Sequence, residues 1–167
     1  MSTPVFPPCQ VGEVLPATSS IGKADLGKIY QIGNALYQVV KNHTAALTAP
    51  AKFILVWQDR AAFTVTTTTT ASDPAVAGFV PSEVSGNIAS GEYFLLRLPA
   101  LGGTFTAIAS AAVTATTDDG KAVVTSTTAG RVVLLANTGK TTVSVGKSPT
   151  GGAAAGAASN LTIVLNF

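Results

Sequence analysis

Charged side chains are scarce in this sequence of 167 residues, where they make up 11% of the total. A soluble domain ordinarily carries about 25%. This scarcity excludes a coiled coil with charged flanks, a polyelectrolyte tail and a chain kept disordered by its own charge. The net charge of +2 is too small for a surface that binds nucleic acid or anionic lipid. We therefore expect no nucleic acid and no membrane among the partners.

Reactive side chains are also few, since the sequence has one Cys, one His and eight Asp and Glu residues. Cys9 has no second cysteine for an intrachain disulfide, and one Cys with one His falls short of a zinc site. His43 is the single candidate for a general base, and no Gly-x-Ser-x-Gly elbow accompanies it. The sequence thus predicts a protein that is not an enzyme and has no catalytic, cofactor-binding or metal site and no cofactor.

Proline is concentrated at the N-terminus, where four prolines fall within the first 16 residues. Because proline fixes φ and lacks an N–H, this composition opposes a helix or a central strand. We therefore divide the chain into an extended N-terminal arm, residues 1–27, and a β-rich domain, residues 28–167. No basic and apolar secretory signal opens the arm. Its apolar side chains, which we expect to lie on a surface of either the same domain or a neighbouring protein, are Val5, Phe6, Val11 and Leu15.

Short apolar runs separated by turn residues predict β-strands from Lys28 onward. Gly33-Asn34 between two alternating segments predicts a two-residue hairpin turn. Residues 53–57 form a continuous apolar run, typical of a strand buried on both faces. Residues 43–49 are compatible with one helical turn, and residues 76–89 have the composition of a loop. The predicted core comprises Ile54, Val56, Trp57, Phe94 and Leu96.

The later strands follow one another at a spacing of about ten residues, which is typical of all-β domains. The chain is therefore predicted to be mainly β: an antiparallel β-sandwich or barrel-like domain with an extended N-terminal arm and little helix. The later strands are predicted at residues 93–98, 104–108, 111–116, 122–126, 131–137, 141–145 and 160–166.

The charge that the chain has is unevenly spread, because only four charged residues occur between positions 61 and 117. Edge strands usually carry charge, which prevents them from pairing with other chains. With so few charges, the strand edges of this region must be covered by the arm, by loops or by other subunits. We interpret the pattern as that of a chain that assembles with other protein.

The β-rich part opens with Gly27-Lys28-Ile29-Tyr30, Gly33-Asn34 and Tyr37-Gln38-Val39-Val40-Lys41, followed by an Ala-rich segment at residues 44–51. Residues 91–98 then read Gly-Glu-Tyr-Phe-Leu-Leu-Arg-Leu, and an Ala/Gly-rich stretch precedes the last strand. This order resembles the small capsid decoration, or cement, proteins of tailed bacteriophages. The threonine run at residues 66–70 departs from that family and matches none of its elements.

The resemblance implies a viral structural protein, made in the host cytoplasm, that sits on the exterior of the capsid as a homotrimer. It implies that the protein decorates and stabilises the capsid by bridging adjacent subunits of the major capsid protein, its partner, on which an extended terminus lies. The alternative is a carbohydrate- or receptor-binding β module of a phage fibre or surface structure. Such a module needs exposed aromatic side chains, for which Trp57 and the tyrosines are the candidates.

Overall fold

The computed structural model describes residues 6–43, 45–99, 104–110, 122–134, 146–147 and 160–164. These residues form two β-sheets and one short helix, α1 (Ser20–Asp25), which confirms a mainly β fold with little helix. The strands predicted at residues 111–116 and 141–145 lie outside the described residues. The first sheet contains β1 (Val14–Leu15), β2 (Ile29–Ile32), β3 (Ala35–Asn42), β4 (Ile54–Asp59), β5 (Thr64–Thr66), β6 (Val76–Phe79) and β7 (Tyr93–Arg97). The second contains β8 (Thr104–Ile108), β9 (Ala122–Thr125), β10 (Val132–Leu134), β11 (Gly146–Lys147) and β12 (Asn160–Val164).

The first sheet closes on itself. Its strand order is β1-β7-β6-β4-β5-β3-β2, and β3 also pairs with β7 along its length. Strands β3, β5, β4, β6 and β7 therefore form a ring, in which β3 and β5 run parallel and the other pairs are antiparallel. The barrel-like architecture agrees with the sequence-based prediction, whereas the parallel pair departs from the expected antiparallel arrangement.

Strand β6 lies where the sequence predicts a loop. Ile54 and Leu55 of β4 pair with Phe79 and Gly78 of β6, and Phe79 also pairs with Arg97 of β7. The strand is short and contains glycine, so its local signal is weak. Its backbone pairs with both neighbours in the ring, β4 and β7, although its own sequence has few features of a strand. The prediction of a loop over residues 76–79 is wrong.

Closure explains the scarcity of charge in β5, β6 and β7. One side of β7 pairs with β3, and the other pairs with β6 at Arg97 and with β1 at Tyr93 and Phe94. The N-terminal strand thus fills the part of β7 that β6 does not reach. Because a closed ring has no free edges, these strands need no charged residues to prevent pairing with other chains.

The N-terminal segment is not extended throughout, since residues 20–25 form α1. Ser19 caps this helix, because its side-chain oxygen accepts a hydrogen bond from the Gly22 N–H at 3.0 Å. A Cβ at Gly22 would lie 2.7 Å from Cδ2 of Tyr93, so the helix rests closely on β7. The expectation of an extended arm misses α1 because the prolines that oppose a helix end at Pro16.

Buried side chains cover both faces of β3 and β7. Val40, Phe94 and Leu96 belong to the cluster that fills the ring. Their neighbours Val39 and Leu95 point to the opposite face and pack in a second cluster, which includes Tyr30, Tyr37, Tyr93 and Cys9. Of the residues predicted to form the core, Ile54, Val56, Phe94 and Leu96 are buried, and Trp57 is half-buried against the ring cluster.

The two sheets meet through a third apolar cluster. Ile54 and Phe79 of the ring pack with Phe105, Val123 and Val132 of the second sheet, and the rings of Phe79 and Phe105 stack with centroids 4.2 Å apart. Burial of a stacked aromatic pair is among the stronger apolar contacts available to a domain. This cluster therefore couples the second sheet to the ring.

The threonine run at residues 66–70 leads into the same junction. The Thr68 hydroxyl donates a hydrogen bond to Oδ2 of Asp73 at 2.7 Å, and the Asp73 N–H donates to Oγ1 of Thr125 at 2.6 Å. The Thr125 hydroxyl in turn donates to the Thr70 carbonyl at 3.0 Å. The run therefore has a structural role, as a hydrogen-bonded connection between the ring and β9.

Residues 45–49 do not form the helical turn that the sequence allows. The side-chain amide of Asn42, which is buried, donates to the carbonyl oxygens of Ala45 at 2.8 Å, Ile88 at 3.1 Å and Ala89 at 3.1 Å. Leu47 pairs with Ile88 through an isolated β-bridge. These contacts with residues 88 and 89 take the place of the local bonds of a helical turn.

Thr64, in the parallel pair of β3 and β5, carries a buried hydroxyl that has no hydrogen-bond partner among the described residues. An unpaired buried hydroxyl destabilises a fold. We expect Thr64→Val, which keeps the branched shape, to raise the free energy of unfolding by about 1 kcal/mol. Urea denaturation measures the change, and Thr106→Val, on an exposed side chain of β8, is the control. A loss of stability at Thr64 contradicts the prediction.

Candidate interaction surface

The reactive residues do not combine into a site. His43 is exposed at the end of β3, and Cys9 is buried in the cluster with Tyr30 and Tyr37. Within the described residues, no group of three His, Cys, Asp or Glu side chains is placed to hold a metal ion. The described part of the chain also contains no helix long and apolar enough to cross a membrane.

Burial makes Cys9 a poor nucleophile. It raises the pKa of the thiol to about 11, with a smaller contribution from the Glu13 carboxylate. The thiolate, which is the reactive form, is therefore rare at neutral pH. We expect iodoacetamide at pH 8 to modify native Cys9 at least about tenfold more slowly than the urea-unfolded protein. Mass spectrometry follows the adduct, and a native rate that levels off near pH 8.5 contradicts the prediction.

The arm residues predicted to contact another surface differ in how deeply their side chains are buried. Val11 and Leu15 are half-buried and pack against the cluster of Tyr30, Tyr37 and Tyr93. Phe6 is 76% exposed, and Val5 lies outside the described residues. Of the three predicted contact residues that the structure describes, Phe6 is thus the one with a largely exposed side chain.

A groove runs beside Phe6. It has a volume of about 520 Å³ and is bounded by the arm on one side and by Ile32 of the β2–β3 hairpin on the other. A groove with an exposed aromatic ring at its rim is a common feature of protein contact surfaces. Its lining consists of Phe6, Pro7, Pro8, Cys9, Gln10, Val11, Glu13 and Ile32.

Three further exposed apolar side chains were not among the predicted contact residues. Ile29 and Leu36, on the β2–β3 hairpin, are 56% and 38% exposed, and Ile21 of α1 is 57% exposed. In β2 the side chains alternate, so that Tyr30 is buried while Ile29 and Gln31 face outward. The sequence shows only that an apolar residue, Ile29, stands next to the buried Tyr30 in an alternating strand. It identifies Ile29 as exposed only once the buried face of the strand is known.

The half-buried Trp57 lies in a second groove with Arg60 and Phe63. Phe63 has a φ of 51°, a conformation that is strained for an aromatic residue. Its ring occupies the space that a side chain at Gly27 would need, because a Cβ there would lie 2.4 Å from Cε2 of Phe63. One residue that lines the groove is therefore an aromatic ring that packs against a glycine.

The fold is shared with a protein of a bacteriophage head. The chain is similar to the solved structure of the head fiber gp8.5 N base in bacteriophage phi29, with 12% sequence identity and a TM-score of 0.51. The similarity covers 79% of this chain and 94% of that chain. No family model matches the sequence, and no curated protein matches it. At this level of identity the likeness concerns the fold, the mainly β barrel-like domain.

Proposed function

We propose that the chain is a non-enzymatic structural protein of a phage virion and lies on the outside of the head. The observation that carries the proposal is the fold shared with the N base of a phage head fiber over 94% of that structure. The resemblance of residues 27–51 and 91–98 to capsid decoration proteins supports the same location from the sequence. The two arguments are separate, because one rests on the backbone and the other on residue types.

In its finer form, the proposal is that the protein decorates the capsid as a homotrimer and bridges adjacent subunits of the major capsid protein. A modest patch on each subunit suffices, because three patches on one rigid assembly act at high effective concentration. Linked contacts of this kind exceed the affinity of a single contact by about 10²–10⁴. Such attachment stabilises a shell by holding neighbouring subunits together.

The arm provides the anchor in this proposal. Phe6 is exposed and is followed by Pro7 and Pro8, and proline limits the conformational freedom that the segment loses on binding. Cys9 and Val11 then fix the arm to the barrel. An aromatic side chain held on a stiff, tethered segment has the properties of a residue that contributes strongly to an interface.

Virions of the phage that encodes the chain provide the test. The protein should sediment with intact particles, and gold-labelled antibody against the domain should decorate the heads of unopened particles. Phe6→Ala should lower the number of copies bound per head, whereas Thr127→Ala, an exposed position at the turn between β9 and β10, should not. Label on the tail, or protein that stays in the unsedimented fraction, overturns the proposal.

Particles that lack the protein separate the finer proposal from the fibre alternative. If the protein bridges capsid subunits, heads without it should release their DNA at a lower temperature than complete heads. If it is a receptor-binding fibre module, heads without it should be equally stable but adsorb to cells more slowly. Native mass spectrometry of the purified protein determines whether it is a trimer.

A further inference from the structure

Arg97 carries a charge that has no ion-pair partner among the residues that the structure describes. The residue ends β7, and its guanidinium lies over the ring of Phe105, with Cζ 4.3 Å from the ring centroid. Arg97 is half-buried. Among the described residues, nothing accepts a hydrogen bond from its side chain or forms an ion pair with it. Stacking satisfies the face of the guanidinium and leaves the N–H groups on its edge unused.

The position of Arg97 is rigidly determined. Its backbone pairs with Tyr37 of β3 and with Phe79 of β6, at the point where the ring closes. A Cβ at Gly78 would come within 2.4 Å of the Arg97 carbonyl oxygen, so β6 and β7 are closer here than a side chain at position 78 would permit. A cation held by a closed ring and stacked on a buried aromatic ring is preorganised for a ligand.

Arg97 lines a pocket of about 210 Å³, which we call the Arg97 pocket. Tyr37 also lines it, and its pKa is raised by burial and by the charge of Glu83, while the charge of Arg97 opposes the rise. The Tyr37 hydroxyl therefore keeps its proton at neutral pH and can donate a hydrogen bond, and both charges act on it. The pocket is lined by Tyr37, Phe79, Val80, Pro81, Ser82, Glu83, Arg97, Phe105 and Thr106.

Glu83 is the acidic residue of this pocket, yet it does not pair with Arg97. Its Oε2 accepts a hydrogen bond from the Ser82 hydroxyl at 3.2 Å, and its side chain is exposed. One cation and one anion leave the pocket close to neutral, which disfavours a doubly charged ligand such as phosphate. A singly charged, planar group is the better match for the fork of a guanidinium.

We propose that the Arg97 pocket binds the side-chain carboxylate of an Asp or Glu residue of a partner protein. The carboxylate accepts hydrogen bonds from the edge of the Arg97 guanidinium and from the Tyr37 hydroxyl. Phe105 holds the guanidinium in plane, and Glu83 weakens binding by repulsion. The inference does not depend on the proposed function, because a small carboxylate compound can test it on the isolated protein.

The probe is N-acetyl-glutamate methylamide, and N-acetyl-glutamine methylamide is its neutral control. Titration of the ¹⁵N-labelled protein should shift the Arg97 Nε–Hε signal saturably with the glutamate compound and leave it in place with the glutamine compound. Arg97→Met should abolish binding and Arg97→Lys should weaken it about tenfold, since lysine keeps the charge but loses the fork. Arg60→Met, at an exposed arginine outside the pocket, should bind as the unaltered protein does.

The Glu83→Gln variant distinguishes carboxylate binding by Arg97 from a purely structural role of Arg97. Removal of the repelling charge should tighten binding of the glutamate compound about threefold. Three outcomes overturn the proposal: equal shifts with both compounds, equal loss in the Arg60 and Arg97 variants, or tighter binding of inorganic phosphate than of the carboxylate. Loss of folding stability in Glu83→Gln without a gain in binding also overturns it, because Glu83 is then the internal partner of Arg97.

Discussion

Deletion of residues 2–15 is expected to lower the free energy of unfolding by on the order of 4 kcal/mol. The deletion removes β1, whose residues Val14 and Leu15 pair with β7. It also removes Cys9 and Val11, which cover the face of β7 opposite the ring interior. Several apolar side chains and a pair of strands are lost together, and a domain of this size is stable by only about 5–15 kcal/mol.

Equilibrium unfolding in urea, followed by the fluorescence of Trp57, measures the loss. Phe6→Ala is the matched control: Phe6 belongs to the same segment but is 76% exposed, so its replacement should leave the midpoint unchanged. A deleted protein as stable as the full chain would show that the segment is a free arm. The barrel would then keep its fold without β1, and the contacts of Val11 and Leu15 would contribute little.

Phe79→Ala is expected to destabilise the protein by about 3–5 kcal/mol. Phe79 is buried and stacks on Phe105 between the two sheets. Alanine leaves a cavity at this junction, because the surrounding strands of a closed ring cannot collapse into it. The second sheet should therefore lose protection first, while the ring keeps its own interior cluster.

Phe94→Ala is the comparison, since Phe94 is equally buried but belongs to the ring cluster. Native-state hydrogen exchange separates the two variants. Phe79→Ala should accelerate exchange in β9 and β10 more than in β3 and β7, whereas Phe94→Ala should accelerate exchange in the ring strands. If Phe79→Ala accelerates hydrogen exchange equally in both sheets, the prediction that the second sheet loses protection first is wrong.

The elements that were predicted correctly from the sequence are those whose signals are local. Gly33 has a φ of 59°, and Ile32 pairs with Ala35, as the two-residue hairpin turn requires. The runs at residues 54–57 and 93–97 are strands, and residues 160–164 pair with β8. Each of these segments contains enough apolar or turn residues to determine its own conformation.

Elements fixed by distant contacts were missed. Strand β6 has two partners far along the chain, and the close approach of Gly78 to Arg97 requires glycine for a reason that no local pattern reveals. The parallel pair of β3 and β5 likewise follows from closure and not from residue types. Charge scarcity was interpreted as a sign of assembly. Ring closure covers the edges of β5, β6 and β7 inside one chain, and assembly with other protein stays a prediction.

The candidate contact residues were only partly foreseeable. Composition identified the apolar arm residues, but burial separates Phe6 from Val11 and Leu15. Ile29 and Leu36 have the residue types of a core, and only the pairing of β2 with β3 shows that they face outward. The free edge of Arg97 could not be inferred at all, because it depends on which residues surround the end of β7.

The ring can close only after its last strand in the sequence, β7, has been synthesised. Strands β3 and β6 emerge from the ribosome before β7, so the edges that they present to β7 have no partner until β7 has been made. The N-terminal strand must wait as long, because it pairs only with β7. Unpaired apolar edges are the usual starting point of aggregation during folding. The few charges that suffice in the folded protein therefore leave the growing chain most prone to aggregation before β7 is complete.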